Sequence, residues 1–191
     1  MKVVAISGSV RQGGNTAQLL SMVLDELHGS GVETELIELA GKQVPGCIAC
    51  YKCFANKDQR CVVENDAVNE VLVKMLAADA IILGSPTYFA DVSANMKALI
   101  ERCGMVSRAN GNMLKRKLGA GVVAVRRAGA YHVFSTLNSF FLIGEMIVVG
   151  SSYWNIGKGR EKGEVQDDTE GIQTMRDLGK NMAWLLKKLE G

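Results

Sequence analysis

The sequence predicts a doubly wound parallel α/β domain. Three features carry that expectation: short apolar runs rich in Val and Ile, helical apolar stripes between them, and their regular alternation along the chain. Val3–Ser7 reads as a buried strand, and residues 15–29 as a helix with Leu19, Leu20, Val23, Leu24 and Leu27 at helical spacing. Val32–Glu38 is the second strand. A helix over about 66–78 carries Val68, Val71, Leu72, Met75 and Leu76 on one face and feeds a third strand, Ala80–Ser85, bounded by Pro86. The next helix, near 93–103, turns Met96, Leu99, Ile100 and Cys103 inward, and a fourth strand follows at Leu118–Val125. A helix at about 131–143, a fifth strand at Met146–Ser151 and a closing helix from about 168 to 189 complete the pattern. The last helix is read with Ile172, Met175, Leu178, Met182, Leu185 and Leu189 inward. Five β–α alternations imply a five-stranded sheet between two helical layers, a three-layer α/β/α arrangement in a single domain of residues 1–191.

Composition narrows the setting. At 191 residues, 48% hydrophobic and 22% charged, the chain resembles an ordinary globular domain. A formal net charge of +2 without a long basic tract does not point to a nucleic-acid partner. No uncharged stretch approaches the ~20 apolar residues of a membrane span, and the N-terminal run shows no cleavable signal pattern, so a cytoplasmic location is expected. Five cysteines, four of them crowded together, suit a reducing compartment better than a disulfide framework.

In a doubly wound sheet, ligands bind beyond the carboxyl ends of the strands, where strand order reverses. The loop after the first strand, S-G-S-V-R-Q-G-G-N-T over residues 7–16, reads as a phosphate cradle: its glycines free backbone N–H groups, and the following helix adds a favourable dipole. Arg11 brings positive charge, and Ser9, Asn15 and Thr16 can donate hydrogen bonds. Gly8 and Gly13 match the glycine spacing of a Walker loop, but Gly14-Asn15 stands where Lys-Ser/Thr would be, which excludes triphosphate hydrolysis of that type. The absence of G-x-G-x-x-G counts against a Rossmann dinucleotide site. After the third strand, Pro86 restrains a loop in which Thr87, Tyr88 and Phe89 offer amides and aromatic faces to a planar ring. After the fourth, Arg126, Arg127 and Gly129 form the third edge of the same crevice.

The connection from about residue 39 to 65 is far longer than a usual βα loop and carries Cys47, Cys50, Cys53 and Cys61. C-x2-C-x2-C with a fourth cysteine further on has the ligand spacing of cubane iron–sulfur clusters, whereas structural zinc more often joins two separated C-x2-C pairs. Zinc, a redox-active dithiol and free thiols at a subunit interface are the competing readings. Lys52, Lys57 and Arg60 could offset part of the charge of four thiolates. Cys103, on an apolar helix face, reads as a small core residue.

Taken together, S-G-S-V-R-Q-G-G-N-T, the four-cysteine loop after strand two and G-S-P-T-Y-F-A-D-V-S-A-N-M-K resemble the iron–sulfur flavoprotein branch of the NADPH-dependent FMN reductase family, over essentially the whole chain. The resemblance implies a flavodoxin-like fold. It also implies FMN with its phosphate at Ser7, Ser9, Arg11, Asn15 and Thr16 and its isoalloxazine against Pro86, Thr87, Tyr88 and Phe89, and a [4Fe–4S] cluster on Cys47, Cys50, Cys53 and Cys61. It implies ferredoxin or NAD(P)H as electron donor, a small-molecule acceptor, and a homodimer or homotetramer. An FMN-dependent oxidoreductase is the function expected. A cluster-free NAD(P)H-dependent FMN or quinone reductase, and a flavodoxin-like carrier or flavin-binding module without turnover, are the alternatives. His28 and His132 have no sequence-local partner for catalysis. The alternating charges from Lys158 to Glu170 read as a solvated loop, and Tyr153 and Trp154 as surface aromatics within reach of a neighbouring subunit.

Overall fold

The computed structural model describes residues 1–190. In chain order the elements are β1 (Lys2–Ser7), α1 (Asn15–Gly29), β2 (Glu33–Glu38), α2 (Lys52–Asn56), α3 (Val68–Ala77), β3 (Ala80–Pro86), α4 (Ala94–Ala109), β4 (Leu118–Val125), α5 (Ala130–Ile143), β5 (Ile147–Val148), β6 (Ile156–Lys158) and α6 (Thr169–Glu190). All strand pairs are parallel, in the order β2-β1-β3-β4-β5, with β6 also on β4. Strand order therefore reverses between β1 and β3, as the doubly wound reading requires.

The residues explain the layers. β1, β3 and β4 are buried nearly throughout, and such strands are continuous runs of Val, Ile, Leu, Ala and Gly because helices cover both faces. Val4, Ile6, Ile81, Leu83 and Val123 face a core built with α3, α4 and α5. Val3, Ala5, Ile82, Ala120 and Val122 face a second core with α1 and α6. Cys103 lies in the first core, fully buried, and burial pushes its thiol up to about 12.

Three expectations are corrected. The fifth strand is not continuous over Met146–Ser151: β5 pairs only with Leu118 and Gly119, and β6 resumes beside Val123, Ala124 and Val125. Asn155 bridges the gap, its buried Nδ2 donating to the Gly121 carbonyl at 2.9 Å while its own carbonyl accepts from Val123 N–H at 2.8 Å. A side chain thus replaces the missing ladder bond. Leu189 is exposed and Leu186 is buried in its place, since the closing helix runs past the edge of the sheet core. The helix near 93–103 continues to Ala109, and its buried face includes a charged residue, Arg102.

Where α6 crosses α1, a Cβ on Gly179 would stand 2.8 Å from the Val23 carbonyl oxygen and 2.7 Å from Glu26 Cβ. Contact with backbone leaves no rotamer to relieve it. Gly179→Ala should therefore destabilise the domain by about 1–3 kcal/mol through overpacking, read as a lower urea midpoint at unchanged slope. Gly29→Ala, where nothing lies within 4 Å, should instead stabilise by about 0.4–1 kcal/mol. Equal behaviour of the two variants would show that the helices do not meet at Gly179.

Candidate functional site

Four loops leave the carboxyl edge of the sheet and enclose a cleft of about 190 Å3. The first runs from Gly8 to Gly14. Its Ser9 hydroxyl accepts from Arg11 N–H at 3.1 Å, and Gly14 N–H donates to the Arg11 carbonyl at 3.1 Å, which turns the chain tightly into α1. Gly13 takes φ +59, and its N–H donates to Glu38 Oε2 at 2.7 Å, fixing the turn to the end of β2. α1 then starts at Asn15 with Gly14 as N-cap and no side-chain cap, so its first N–H groups have no capping oxygen from the protein.

The loop after β3 is tied to the first by Ser93. That hydroxyl donates to the Gly8 carbonyl at 2.7 Å and accepts from Met96 N–H at 3.2 Å as the N-cap of α4. Ser93 N–H donates in turn to Ser85 Oγ at 2.9 Å. Tyr88 and Asp91 close a tight turn through paired backbone bonds of 2.9 and 3.0 Å, with Phe89 and Ala90 both left-handed at its tip. Left-handed residues other than glycine cost about 1–2 kcal/mol each, so this tip is held at a cost by the bonds around it. Asp91 also accepts from Thr136 Oγ1 at 3.1 Å and lies 3.8 Å from His132 Nε2, a partner that the sequence did not reveal for His132.

The structure brings Ser9, Arg11, Asn15, Thr16, Pro86, Thr87, Tyr88 and Arg126 into the cleft lining. It leaves out Ser7, which is wholly buried behind the first loop, and Phe89, which is fully exposed at the turn tip. Arg127 and Gly129 are exposed outside the lining, and a Cβ on Gly129 would stand 3.1 Å from Ala90 Cα, so the loop after β4 abuts the loop after β3 at that point. The fourth wall is a segment read from sequence as solvated: Gly159, Arg160 and Lys162, after β6. Asn15 fastens it, its Nδ2 donating to the Glu161 carbonyl and its Oδ1 accepting from Gly163 N–H, both at 2.8 Å. Its amide thus braces the loop with one N–H and its oxygen, which leaves one N–H on the cleft side. Arg11 Nη1 adds a bond of 3.1 Å to the Arg160 carbonyl. The Glu164 carboxyl is held below the usual range by hydrogen bonds from Arg160 and Glu161 N–H, which closes the loop on itself.

The electrostatics are one-sided. Arg11, Arg126, Arg160 and Lys162 line the cleft, and among the described residues no carboxylate does. Thr87 Oγ1 is buried there without a hydrogen-bond partner. An unpaired buried hydroxyl costs on the order of 1–3 kcal/mol, which a polar ligand would offset. The cleft therefore fits an anionic ligand with polar atoms at its far end. The G-K-G-R-E-K-G run at 157–163 was the available signal for the fourth wall, being glycine-rich and basic after a strand-like Asn-Ile.

A second site lies in the loop after β2. No disulfide joins the four clustered cysteines among the described residues, and all line one cavity with Ile48, Tyr51, Val62, Val63, Met105, Val106 and Arg102. Burial raises the Cys53 thiol above its ordinary value, against backbone N–H bonds from Phe54 and Cys53 that lower it, with Cys50 and Cys61 nearby adding to the rise. Among the described residues no three Cys, His, Asp or Glu side chains are gathered as around one metal ion. Cys61 is the most firmly held. Its N–H donates to Asn69 Oδ1 and its carbonyl accepts from Asn69 Nδ2, both at 2.9 Å, and its Sγ accepts from Arg102 Nε at 3.3 Å. The expectation that Lys52, Lys57 and Arg60 serve the thiolates is corrected: all three are exposed and outside the lining, and Arg60 faces Glu64 at 3.8 Å. The cation in the cavity is Arg102, 1% exposed and paired with Asp66 at 2.6 Å. Burial opposes its charge, but hydrogen bonds to Asp66 and Cys61 hold its pKa above the ordinary arginine value.

Comparison with known proteins agrees with this architecture. The chain is 40% identical over 197 residues to an iron-sulfur flavoprotein of Methanocaldococcus jannaschii, covering all of both chains. It is 32% identical to an iron-sulfur flavoprotein of Methanosarcina thermophila, over all of this chain and 97% of that one. An archaeal flavodoxin structure superposes with a TM-score of 0.62 at 15% identity, covering 98% of this chain and 99% of the other, which establishes the flavodoxin-like fold. Residues 1–161 match the family described as NADPH-dependent FMN reductase. With a doubly wound sheet, a basic cleft at its carboxyl edge and that match over most of its length, the chain belongs to the NADPH-dependent FMN reductase family and is a flavin-dependent oxidoreductase.

Proposed function

We propose that the cleft holds FMN, that Cys47, Cys50, Cys53 and Cys61 hold a [4Fe–4S] cluster, and that electrons pass through both. The observation that carries the flavin reading is the basic cleft with the uncapped N-terminus of α1 and the orphan Thr87 hydroxyl. Arg11, Lys162 and the first N–H groups of α1 would bind the phosphate dianion, with the helix dipole adding to the attraction. Pro86 and Tyr88 would flank the ring, Thr87 Oγ1 would bond its polar edge, and Arg126 would favour negative charge there. Ser7, Phe89, Arg127 and Gly129, outside the lining, would act by supporting the loops. Bound flavin supplies hydride and single-electron transfer, while the protein orients it and tunes its potential.

For the cluster, the donor set is the support: four thiols around one cavity whose other walls are mostly apolar, in a chain whose relatives are named iron-sulfur flavoproteins. We extend the proposal to ferredoxin or NAD(P)H as donor, a small-molecule acceptor and a cytoplasmic setting. A homodimer or homotetramer is supported by the exposed aromatic group Tyr131, Trp154 and Tyr153, with ring centroids 5.2 and 5.0 Å apart.

FMN titration tests the cleft. Arg11→Ala should weaken FMN by about 1–3 kcal/mol through loss of a charge-assisted bond, and riboflavin should bind far more weakly than FMN. Asn15→Ala should act through the 159–163 loop, raising its cleavage by protease as well as weakening FMN. Equal affinity for riboflavin and FMN would remove the phosphate assignment.

For the cysteines, anaerobic protein should contain iron and acid-labile sulfide and show broad visible absorbance beyond that of flavin. Cys→Ala at positions 47, 50, 53 or 61 should abolish the iron and the absorbance while FMN stays bound. Cys103→Ala should keep both. Protein replete with FMN yet free of iron and sulfide would defeat the cluster reading.

A further inference from the structure

Arg102 is the one charged side chain on the buried face of α4, and four of its five N–H groups bond to the cysteine loop and its flank. Nη1 reaches the Pro45 carbonyl at 3.3 Å, on the limb that precedes Cys47. Nη2 reaches the Val63 carbonyl at 2.7 Å, on the limb that follows Cys61. Nη1 also pairs with Asp66 Oδ2 at 2.6 Å, and Nε is directed at Cys61 Sγ at 3.3 Å. A planar guanidinium can serve four such acceptors at fixed angles, whereas an ammonium cannot.

We propose that Arg102 is a positioning residue of the cysteine site: it fastens both limbs of the loop to α4 and, through Nε–H to Cys61 Sγ, distinguishes that ligand from the other three and sets the reduction potential of the centre they hold. The potential-setting role rests on the cluster reading above. Reduction of a cluster adds one electron and breaks no bond, so the centre gains one negative charge. A hydrogen bond from a cation to a ligand sulfur stabilises the more negative state and raises the potential. Asp66 neutralises the ion pair as a whole but engages Nη1, which leaves the Nε–H dipole aimed at the sulfur. Among the described residues no other cysteine sulfur takes a hydrogen bond from a cation: Cys53 is reached only by backbone N–H of Phe54 and Cys53, and Lys52 and Lys57 are exposed. Asn69 holds the backbone of Cys61 without touching its sulfur, which separates the two influences.

The test uses full-length protein, purified anaerobically, as wild type, Arg102→Lys and Asn69→Ala. Iron and sulfide content is measured first, and the potentials of cluster and flavin are then followed spectroscopically in a dithionite titration. Arg102→Lys should hold iron and FMN, with the cluster midpoint lowered and the flavin midpoint unmoved. Asn69→Ala should keep the wild-type midpoint. A wild-type cluster midpoint in Arg102→Lys overturns the potential-setting role. Should Arg102→Lys fail to fold or to hold iron, the unmutated arginine is read directly. In 15N-labelled, metal-free protein the Arg102 Nε–H resonance should move in Cys61→Ala and stay in place in Cys47→Ala. An unmoved resonance in Cys61→Ala overturns the proposal. Wild-type protein without iron would instead defeat the cluster reading and with it the tuning role, leaving the positioning role to be decided by the same resonance.

Discussion

Parallel register is the constraint on which the rest of the molecule depends. Ser7 pairs with Glu38 on one side and Gly84 on the other, Pro86 pairs with Ala124, and Val125 pairs with Lys158. Because these strands run the same way and end at nearly the same level, the loops that follow open on one edge of the sheet. A slip of one residue would turn each strand's core-facing side chains to the opposite face, so burial on both sides fixes the register firmly. Arg11 and Arg160, 149 residues apart in sequence, meet for this reason alone.

Gathering four cations, of which Arg160 is paired with Glu161 at 3.1 Å, is unfavourable, and the loops must be held against that repulsion. The hydrogen bonds of Asn15 to Glu161 and Gly163, of Arg11 to Arg160 and of Ser93 to Gly8 supply the restraint. Their cost is met during folding, so an anion finds the donors already aimed, and less ordering is lost on binding. The left-handed Phe89 and Ala90 belong to the same logic, since a short turn keeps Tyr88 at the lining while its tip stands in solvent.

The sheet, its helices and most of the cleft were legible because they depend on periodicity and on turn chemistry. Leu19, Leu20 and Val23 announce their face by spacing alone, and Gly13 and Gly14 announce a tight turn. The split of the fifth strand was hidden because Ile147–Val148 and Ile156 look like ordinary strand residues. The interruption is sustained by one buried asparagine, which composition reads as a loop residue. Asn15 was legible as a site residue, but its partners lie nearly 150 positions away, and sequence could not tell a ligand donor from a loop fastener. Arg160 and Lys162 were hidden by their own neighbours: alternating charge is the signature of solvated surface, and only the return of β6 to β4 carries these two cations to the cleft.

Arg102 is the hardest residue to foresee, and the reason is energetic. Burying a guanidinium costs several kcal/mol unless its partners are complete, so a charge on a helix is read as solvent-facing by default. Here Asp66, two backbone carbonyls and a cysteine sulfur take four of its five N–H groups. Such a pair adds little net stability, because desolvation consumes most of the attraction. A long loop whose Ile48, Tyr51, Phe54 and Val62 stay exposed is not fixed by packing alone, however, and a buried ion must find its partners or the segment fails to dock. The directional demand of one guanidinium thereby does for the cysteine loop what the hydrophobic cores do for the sheet: it selects one arrangement out of many, and it does so at the sulfur of Cys61.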